Sequence, residues 1–381
     1  MSEGRRQVEP TKSWSDRIRP QPMFDVLSMA NERESQGNYV ARMEIGDTPG
    51  FRNDFIHDLI SKHASSPLRY SPSRGEGQLI SQIIDTQWPE CDENQIAVGP
   101  ANFLITAALA SKTSPGDLVL LPDPGFPTYK LAADFLGLKI IYYPIYSNKF
   151  PDLSDMVKQS KIIPKVIVIN NPSNPLGLAF SGDEISASLR NFPDFGIDII
   201  LDETYINLIY DKTDALIRDL PSTRIRSFSK EFCAPGIRIG YVSSDYKSIE
   251  TISNFMSLSI SCVPKFIQIA VAEFLGSKES MQFRNTVIDS MKKRFEALND
   301  VLGKDFINVA PNSAFYALIN TGALSGDAVF KLLLDRNVST CPGSKFGKNS
   351  INAIRISLAG NSNLFENDLR MLSNALKEII T

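Results

Sequence analysis

Three side chains that could do chemistry lie close to apolar stretches in the second half of this 381-residue chain. Asp202 ends the apolar run IDIILD, and a carboxylate there can either cap a helix or hold a cationic ring nitrogen in surroundings of low dielectric. Lys230 lies in SFSKEF, and a lysine amine with a depressed pKa forms Schiff bases with aldehydes. Arg238 lies in GIRIG, and a guanidinium binds phosphate. A surface lysine and a strand-edge arginine are the ordinary alternatives, but the pair also suits a molecule with both an aldehyde and a phosphate.

A second candidate for anion binding is the segment GPANFLITAALA. We expect a strand that ends at Val98, a turn through Gly99, and Pro100 as the first helical residue, because the proline ring already fixes a helical φ. The backbone amides of Ala101 and Asn102 would then point unpaired out of the helix N-terminus, where anions bind. An ordinary strand-to-helix turn explains the same residues equally well.

Two further polar residues occupy comparable places after apolar runs. KVIVI is followed by NNPSNPLG, a stiff turn that either is a turn and nothing more or presents Asn174 at the end of a strand. Tyr205 follows Asp202 in LDETY. Each signal is weak when taken singly. Their order at successive strand ends favours one catalytic site over four unrelated turns.

The elements that must position these residues alternate along the chain. Helical patterns such as ANFLITAALASK and YKLAADFLG alternate with the strand patterns LVLLP, KIIYYPI, KVIVIN and IDIILD. The strands are almost continuously apolar, which predicts a parallel-rich α/β sheet of the doubly wound type, covered on both faces. We predict an N-terminal arm with part of a small domain at 1–45, a large domain at 46–275 and a small C-terminal domain at 276–381. The site is expected between the two domains.

Composition disfavours several other classes of function. The formal net charge is −3 and the basic residues form no long stripe, so nucleic acid is not an expected partner. No secretory signal or membrane-spanning apolar run is recognisable, and the four scattered cysteines fit reduced thiols, so we expect a cytoplasmic protein without a membrane partner. His57 and His63 lack the spacing of a helical zinc pair, and we predict no metal site. The chemistry must then depend on lysine, carboxylate, tyrosine or a cofactor.

Taken together, the motifs resemble those of fold-type I pyridoxal 5′-phosphate (PLP) enzymes, specifically the class I/II aminotransferases related to aspartate aminotransferase. The likeness extends from IGDTPGF to RISLAG and includes RYSPSRGEGQL, IAVGPANFLITAALA, SPGDLVLLPDPGFPTY, NNPSNPLG, LDETY, SFSKEFCAPGIRIGY, SAFY, CPGSKFG and INAIRISLAG. The resemblance implies a large domain with a mostly parallel seven-stranded sheet covered by helices, and a smaller α+β domain. It also implies PLP as the cofactor and a homodimer.

The resemblance also implies a role for each candidate residue around the cofactor ring. Lys230 forms a Schiff base, the internal aldimine, with the PLP aldehyde. Asp202 pairs with the pyridine nitrogen, while Tyr205 and Asn174 contact the phenolic oxygen. Phe126, in DPGFPTY, stacks on the ring and supplies dispersion and shape without a hydrogen bond.

The cofactor phosphate and the substrate have implied partners as well. The phosphate-binding residues of this chain are Ala101, Asn102, Ser227, Ser229 and Arg238. Tyr70, in RYSPS, reaches that phosphate from a second subunit. Arg355, in INAIRISLAG, binds the α-carboxylate of the substrate as a bidentate pair. Asn174 and the backbone of Gly46 also contact the substrate.

The implied activity moves an amino group between an L-amino acid and a 2-oxo acid by a ping-pong mechanism. The same fold and cofactor residues also serve β-lyases, decarboxylases, synthases and oxidases, and a lyase is the second candidate. Arg355 favours transamination, since both substrates keep a carboxylate. A regulatory DNA-binding protein built on this scaffold is disfavoured by the net charge. The sequence leaves the identity of the amino acid open.

Overall fold

The computed structural model describes residues 13–65, 67, 69–160, 162–361 and 363–380. Its helices are α1 Trp14–Arg17, α2 Met23–Ser35, α3 Asp54–Ala64, α4 Gly77–Gln87, α5 Ala101–Lys112, α6 Pro127–Leu136, α7 Leu153–Ser160, α8 Gly182–Leu189, α9 Phe228–Glu231, α10 Tyr246–Ile260, α11 Lys265–Leu275, α12 Lys278–Phe306, α13 Gly326–Leu334 and α14 Phe365–Ile380. Its strands are β1 Ala41–Arg42, β2 Ile96–Gly99, β3 Leu118–Asp123, β4 Lys139–Pro144, β5 Val166–Asn170, β6 Asp198–Asp202, β7 Thr223–Ser227, β8 Gly240–Ser243, β9 Tyr316–Asn320, β10 Val338–Ser339, β11 Cys341–Pro342 and β12 Ala353–Ser357.

Seven strands form the predicted mostly parallel sheet, in the order β2-β8-β7-β6-β5-β3-β4. Successive side chains of its central strands face opposite sides, because a strand alternates with a period of two. Val166 and Val168 pack under α5, α6 and α10, while Ile167 and Ile169 pack under α7 and α8. Burial on both faces explains why these strands are apolar throughout, and the predicted fold class is confirmed.

Strand β8 runs against its neighbours β2 and β7, whereas the other pairs in this sheet are parallel. Ser227 at the end of β7 therefore pairs with Gly240 at the start of β8. The segment between these two residues turns back at the carboxyl edge of the parallel strands. This reversal brings Lys230 and Arg238 to the same edge.

A second group of elements comes from the C-terminal part of the chain. Strands β11, β12 and β9 form an antiparallel sheet that packs with α12 and α14. Strand β1 from the N-terminal part pairs in parallel with β10, so that Ala41 lies opposite Val338. The domain limits at residues 45 and 275 stay predictions. Among the described helices, none has the length and apolar character needed to cross a membrane.

Candidate active site

A cavity of about 200 Å³ opens where the carboxyl ends of the parallel strands meet the antiparallel sheet. The predicted site residues that line it are Gly46, Ala101, Asn102, Phe126, Asn174, Asp202, Tyr205, Ser227, Ser229, Lys230, Arg238 and Arg355. Parallel strands bring their carboxyl ends to one edge, which is why residues far apart in sequence converge there. Tyr70 is absent from this lining, and its ring is 87% exposed in its own chain.

Asp202 is a buried carboxylate held by neutral donors. The Tyr129 hydroxyl donates to its Oδ2 at 2.6 Å, and Thr204 donates to its Oδ1 through both its backbone N–H at 3.0 Å and its hydroxyl at 2.6 Å. Burial raises the pKa of Asp202, and the hydrogen bonds from Thr204 and Tyr129 oppose that rise. No described helix begins at this residue, so helix capping does not explain it. The arrangement suits a cation placed in the cavity.

Lys230 lies in the short helix α9, which begins after Ser227. The Ser227 hydroxyl accepts a hydrogen bond from the Ser229 backbone at 3.2 Å and fixes the start of that helix. The Lys230 amine is half-buried and donates to the backbone carbonyl of Gly46 at 2.5 Å. The amine therefore faces the cavity on a neutral acceptor instead of a carboxylate.

Donors for an anion gather at one end of the cavity. Helix α5 begins at Ala101, and Pro100 precedes it with extended backbone (φ −61°, ψ 131°). The prediction that Pro100 is the first helical residue is therefore wrong: its ψ lies outside the helical range, although its carbonyl accepts from Phe103 and Leu104. The amides of Ala101 and Asn102 remain the first of the helix, and both residues line the cavity.

Three side chains complete this end of the cavity. Ser227 and Ser229 are buried, and both line it. Arg238 has the left-handed backbone conformation (φ 58°), which is uncommon outside glycine. Its Nη1 donates to the Pro235 carbonyl at 2.8 Å. Backbone amides, hydroxyls and a guanidinium together form a donor set that suits a phosphate.

Arg355 is a buried cation that also lines the cavity. Its Nη2 donates to the Glu44 carbonyl at 2.5 Å, and its Nη1 donates to Asn174 Oδ1 at 3.2 Å. Its guanidinium lies 4.3 Å from the ring centroid of Tyr316 and 4.8 Å from that of Phe346. No carboxylate among the described residues pairs with it. A ligand carboxylate would supply the missing counter-ion.

Comparison with known proteins identifies the family. The family model described as aminotransferase class I and II matches residues 64–371. The chain belongs to the class I and II aminotransferases. Its reaction is accordingly the transfer of an amino group between an amino acid and a 2-oxo acid by a ping-pong mechanism, with PLP as the cofactor.

Individual relatives extend over nearly the whole aminotransferase chain. The (5-formylfuran-3-yl)methyl phosphate transaminase of Methanocaldococcus jannaschii is 30% identical over 361 residues, which cover 91% of this chain and 93% of the relative. A probable aspartate/prephenate aminotransferase of Aquifex aeolicus is 27% identical and covers 95% of this chain and 97% of its own. The solved aspartate aminotransferase of Thermus thermophilus with maleate has 20% identity and a TM-score of 0.89, covers 97% of this chain and 100% of its own, and shows the same fold.

The cavity of this aminotransferase fits PLP by the chemistry of its donors. Asp202 is a buried carboxylate that lacks a cationic partner among the described residues, and the pyridinium of PLP is a cation. The amide and hydroxyl donors near Arg238 match a phosphate, and Lys230 matches an aldehyde. Phe126 lines the same space and contacts Tyr129 edge to face, at 5.8 Å between ring centroids.

Several residues that line the cavity of the aminotransferase were not predicted from the sequence. These residues are Gln21, Met23, Phe24, Ile45, Ile105, Tyr129, Asn170, Thr204, Pro235 and Tyr316. Tyr129 carried a signal, since it lies one helical turn after Phe126 in FPTY and thus on the same helix face. Tyr316 ends the quoted SAFY motif but had no role. Gln21, Met23 and Phe24 come from a segment without any diagnostic pattern.

The hydrogen bond between Tyr129 and Asp202 can be tested by Tyr129→Phe. We expect kcat to fall about 10- to 100-fold, because a hydrogen bond to a charged group contributes about 1.5–3 kcal/mol. The control is Tyr143→Phe, which removes another buried hydroxyl, one that donates to the Val168 carbonyl at 3.0 Å outside the cavity. The measurement is kcat of both variants and of the wild type from steady-state kinetics. If kcat of Tyr129→Phe equals kcat of the control Tyr143→Phe, the Tyr129 hydroxyl has no role in catalysis.

Proposed function

We propose that Lys230, Asp202 and Arg355 carry the amino-group transfer of this aminotransferase. One observation supports this proposal above the others. The charged side chains of these three residues line a single cavity, and within the described part of the chain none of the three forms an ion pair. Leaving charges buried and unpaired is unfavourable, so such an arrangement is expected where ligand charges complete it.

The chain's own residues divide the binding of the cofactor. Ala101, Asn102, Ser227, Ser229 and Arg238 hold the phosphate, and Phe126 covers the ring. Tyr205 and Asn174 hold the phenolic oxygen, while Asp202 keeps the ring nitrogen protonated. When bound, PLP supplies an aldehyde that joins to amines and a ring that draws electrons from the substrate Cα.

Lys230 and Arg355 act on the substrate. Arg355 binds the α-carboxylate, and its orientation is fixed by Asn174 Oδ1 on its Nη1 and by the Glu44 carbonyl on its Nη2. The Lys230 amine holds the cofactor aldehyde between turnovers. Once the amino acid takes its place, the freed amine would remove the proton from Cα and deliver it to the carbon that carried the cofactor aldehyde, so that water releases the 2-oxo acid and the amino group stays with the cofactor. An amino acid and a 2-oxo acid share Arg355, so they bind in turn.

The experiment that tests this function is a product balance. The purified protein with PLP and an amino acid, but without an acceptor, should release one 2-oxo acid per site and then stop. Addition of an acceptor 2-oxo acid should restart turnover and yield a new amino acid in equal amount. A β-lyase would instead release pyruvate and ammonia continuously without an acceptor, and that result would favour the second candidate.

The substrate side chain of this aminotransferase is proposed to be apolar. Met23 Sδ lies 3.7 Å from Arg355 Nη1, and Ile45 precedes Gly46, whose carbonyl contacts the Lys230 amine. A substrate held between the two cations therefore places its side chain against Met23, Ile45 and the neighbouring Phe24. These side chains offer dispersion contacts and no counter-ion for a second carboxylate.

This proposal predicts the order of substrates. The kcat/KM for leucine, methionine or phenylalanine should exceed that for aspartate by about 100-fold, because burying an unpaired carboxylate costs several kcal/mol. The measurement is a comparison of initial rates with one common acceptor. Aspartate as the best donor would contradict the proposal and would mean that a cation outside these wall residues reaches the side chain.

A homodimer and a cytoplasmic location belong to the same proposal. The exposed Tyr70 of one subunit is proposed to reach the phosphate end of the cavity in its partner, which fits its absence from the cavity of its own chain. Leu258 is equally exposed, at 87%, and offers apolar surface for such an interface. All four cysteines are free thiols, which suits a reducing compartment. Analytical sedimentation of the purified protein tests the dimer, because it measures the particle mass, which should be twice that of one chain.

A further inference from the structure

Tyr316 opens strand β9 at the centre of the site, yet the roles set out above leave it without a task. It is 2% exposed and lines the cavity. Its ring lies under the Arg355 guanidinium, and its hydroxyl lies 3.0 Å from the hydroxyl of Tyr205. Tyr316 thus contacts both a residue assigned to the substrate and a residue assigned to the cofactor.

The sheet register sets the contact with Arg355. Strands β9 and β12 are antiparallel, with Tyr316 opposite Ser357 and Leu318 opposite Arg355. Tyr316 and Arg355 are therefore diagonal neighbours on one face of the sheet, within reach of long side chains. Phe346 also lies close to the guanidinium, so Arg355 contacts two aromatic rings.

Two glycines leave the space that Tyr316 occupies. A Cβ added at Gly46 would lie 1.8 Å from the Tyr316 hydroxyl oxygen, and a Cβ added at Gly177 would lie 2.0 Å from the Tyr316 carbonyl oxygen. Both distances are far inside van der Waals contact. The absence of a side chain at Gly46 and at Gly177 therefore lets backbone pack closely against the hydroxyl and the main chain of Tyr316.

We propose that Tyr316 is a positioning residue that couples the substrate-binding arginine to the cofactor-binding tyrosine. Its ring holds the guanidinium of Arg355 in place, and its hydroxyl donates to the Tyr205 hydroxyl. The Tyr205 proton is thereby directed into the cavity, where it can be donated to the phenolic oxygen of PLP. This inference rests on the roles proposed for Tyr205 and Arg355.

The surroundings of Tyr205 keep its hydroxyl protonated. Burial, together with the adjacent Tyr316, keeps the pKa of Tyr205 well above its usual range, so the phenol retains its proton. The two rings meet edge to face at 5.7 Å between centroids, which fixes the relative position of the hydroxyls. A retained and directed proton is what a hydrogen bond to an anionic oxygen requires.

Two variants separate the hydroxyl of Tyr316 from its ring. Tyr316→Phe keeps the ring, so the KM for the amino acid should change less than about threefold. It should shift the pH midpoint of the visible absorbance change of the holoenzyme upward by about half a unit or more, since the oxygen of PLP loses a directed donor. Tyr316→Leu also removes the ring beneath the guanidinium and should in addition raise KM at least about fivefold.

Tyr210→Phe is the matched control, because the hydroxyl of this partly buried residue donates to the Ala314 carbonyl next to the same strand and lies outside the cavity. Neither readout should move in that variant. If the wild-type holoenzyme shows the pH-dependent band and both Tyr316 variants behave like Tyr210→Phe, the coupling role is refuted while the proposed function stands. If the wild type shows no such band, the proposed roles fail and this inference fails with them.

Discussion

Replacing Lys230 by alanine is expected to abolish turnover while leaving the fold intact. The amine performs two tasks in the proposed reaction, since it holds the cofactor aldehyde and moves the proton at the substrate Cα. General base catalysis by one side chain contributes about 10²–10⁴-fold, so kcat should fall by at least about 10³-fold. The amine is half-buried and donates one hydrogen bond, to the Gly46 carbonyl, so its removal should change stability little.

Spectroscopy and rescue make the Lys230→Ala experiment specific. The wild-type protein should fix PLP covalently to Lys230 upon borohydride reduction, as seen by peptide mass, and the variant should not. A small primary amine should restore part of the lost rate, because the cavity of about 200 Å³ leaves room where the side chain was. Lys158→Ala, at an exposed position of α7, should behave like wild type. Full activity of Lys230→Ala would overturn the assignment.

Asp202→Asn is expected to show the second large effect, with activity and stability moving in opposite directions. A carboxylate about 4 Å from a cationic ring nitrogen, at an effective dielectric near 20, contributes roughly 4 kcal/mol. Loss of this contribution in the transition state lowers kcat by about three decades. Asparagine preserves the size of the side chain and can still accept from Thr204. The decrease should therefore report the charge.

The cofactor-free protein gives an independent readout of the same carboxylate. Burial raises the pKa of Asp202 above its ordinary value of 3.8, so the folded state binds this proton more tightly than the unfolded chain does. The associated stability is complete below the unfolded pKa and is lost as the pH rises through the folded pKa. Asp202→Asn lacks this titration, and its stability relative to wild type should increase with pH across that interval.

A control on the same strand separates charge at the site from charge in general. Asp198 begins β6 at the far edge of the sheet and pairs with Lys112 at 3.6 Å and Lys165 at 3.5 Å. Asp198→Asn should keep wild-type activity and should not gain stability at neutral pH. Thermal unfolding of the cofactor-free proteins and kcat of the holoenzymes supply both comparisons. Unchanged kcat in Asp202→Asn would exclude a role for this charge in catalysis.

Local sequence determined much of the site because it depends on strand ends. Asp202 and Ser227 end their strands, Asn174 follows β5 in a turn, and Ala101 begins the helix after β2. A run of Val, Ile and Leu predicts a buried parallel strand, and parallel strands share one carboxyl edge. Polar residues that follow such runs must therefore meet. Their chemical types then indicated a ligand with an aldehyde and a phosphate, and the resemblance of the motifs implied that this ligand is PLP.

Local sequence was least informative where the chain reverses direction or caps a helix. The antiparallel β8 brings Arg238 beside Lys230, and strand direction follows from packing instead of from the apolar pattern of one strand. Pro100 has the same φ as a cap and as a first helical residue, so its ψ decided the start of α5. The identity of a single residue does not determine the direction of a strand or distinguish a helix cap from a first helical residue.

The sequence by itself determined which polar residues meet at the edge of the parallel sheet, because strand pattern and side-chain type suffice for that feature. The resemblance of its motifs to a known family indicated the family and the cofactor. Tertiary structure alone decided which distant segments complete the cavity. Met23 reaches Arg355, and Tyr316 contacts Tyr205, through the packing of N-terminal and C-terminal elements on the large sheet. Such contacts depend on the relative placement of whole elements, which no local pattern encodes.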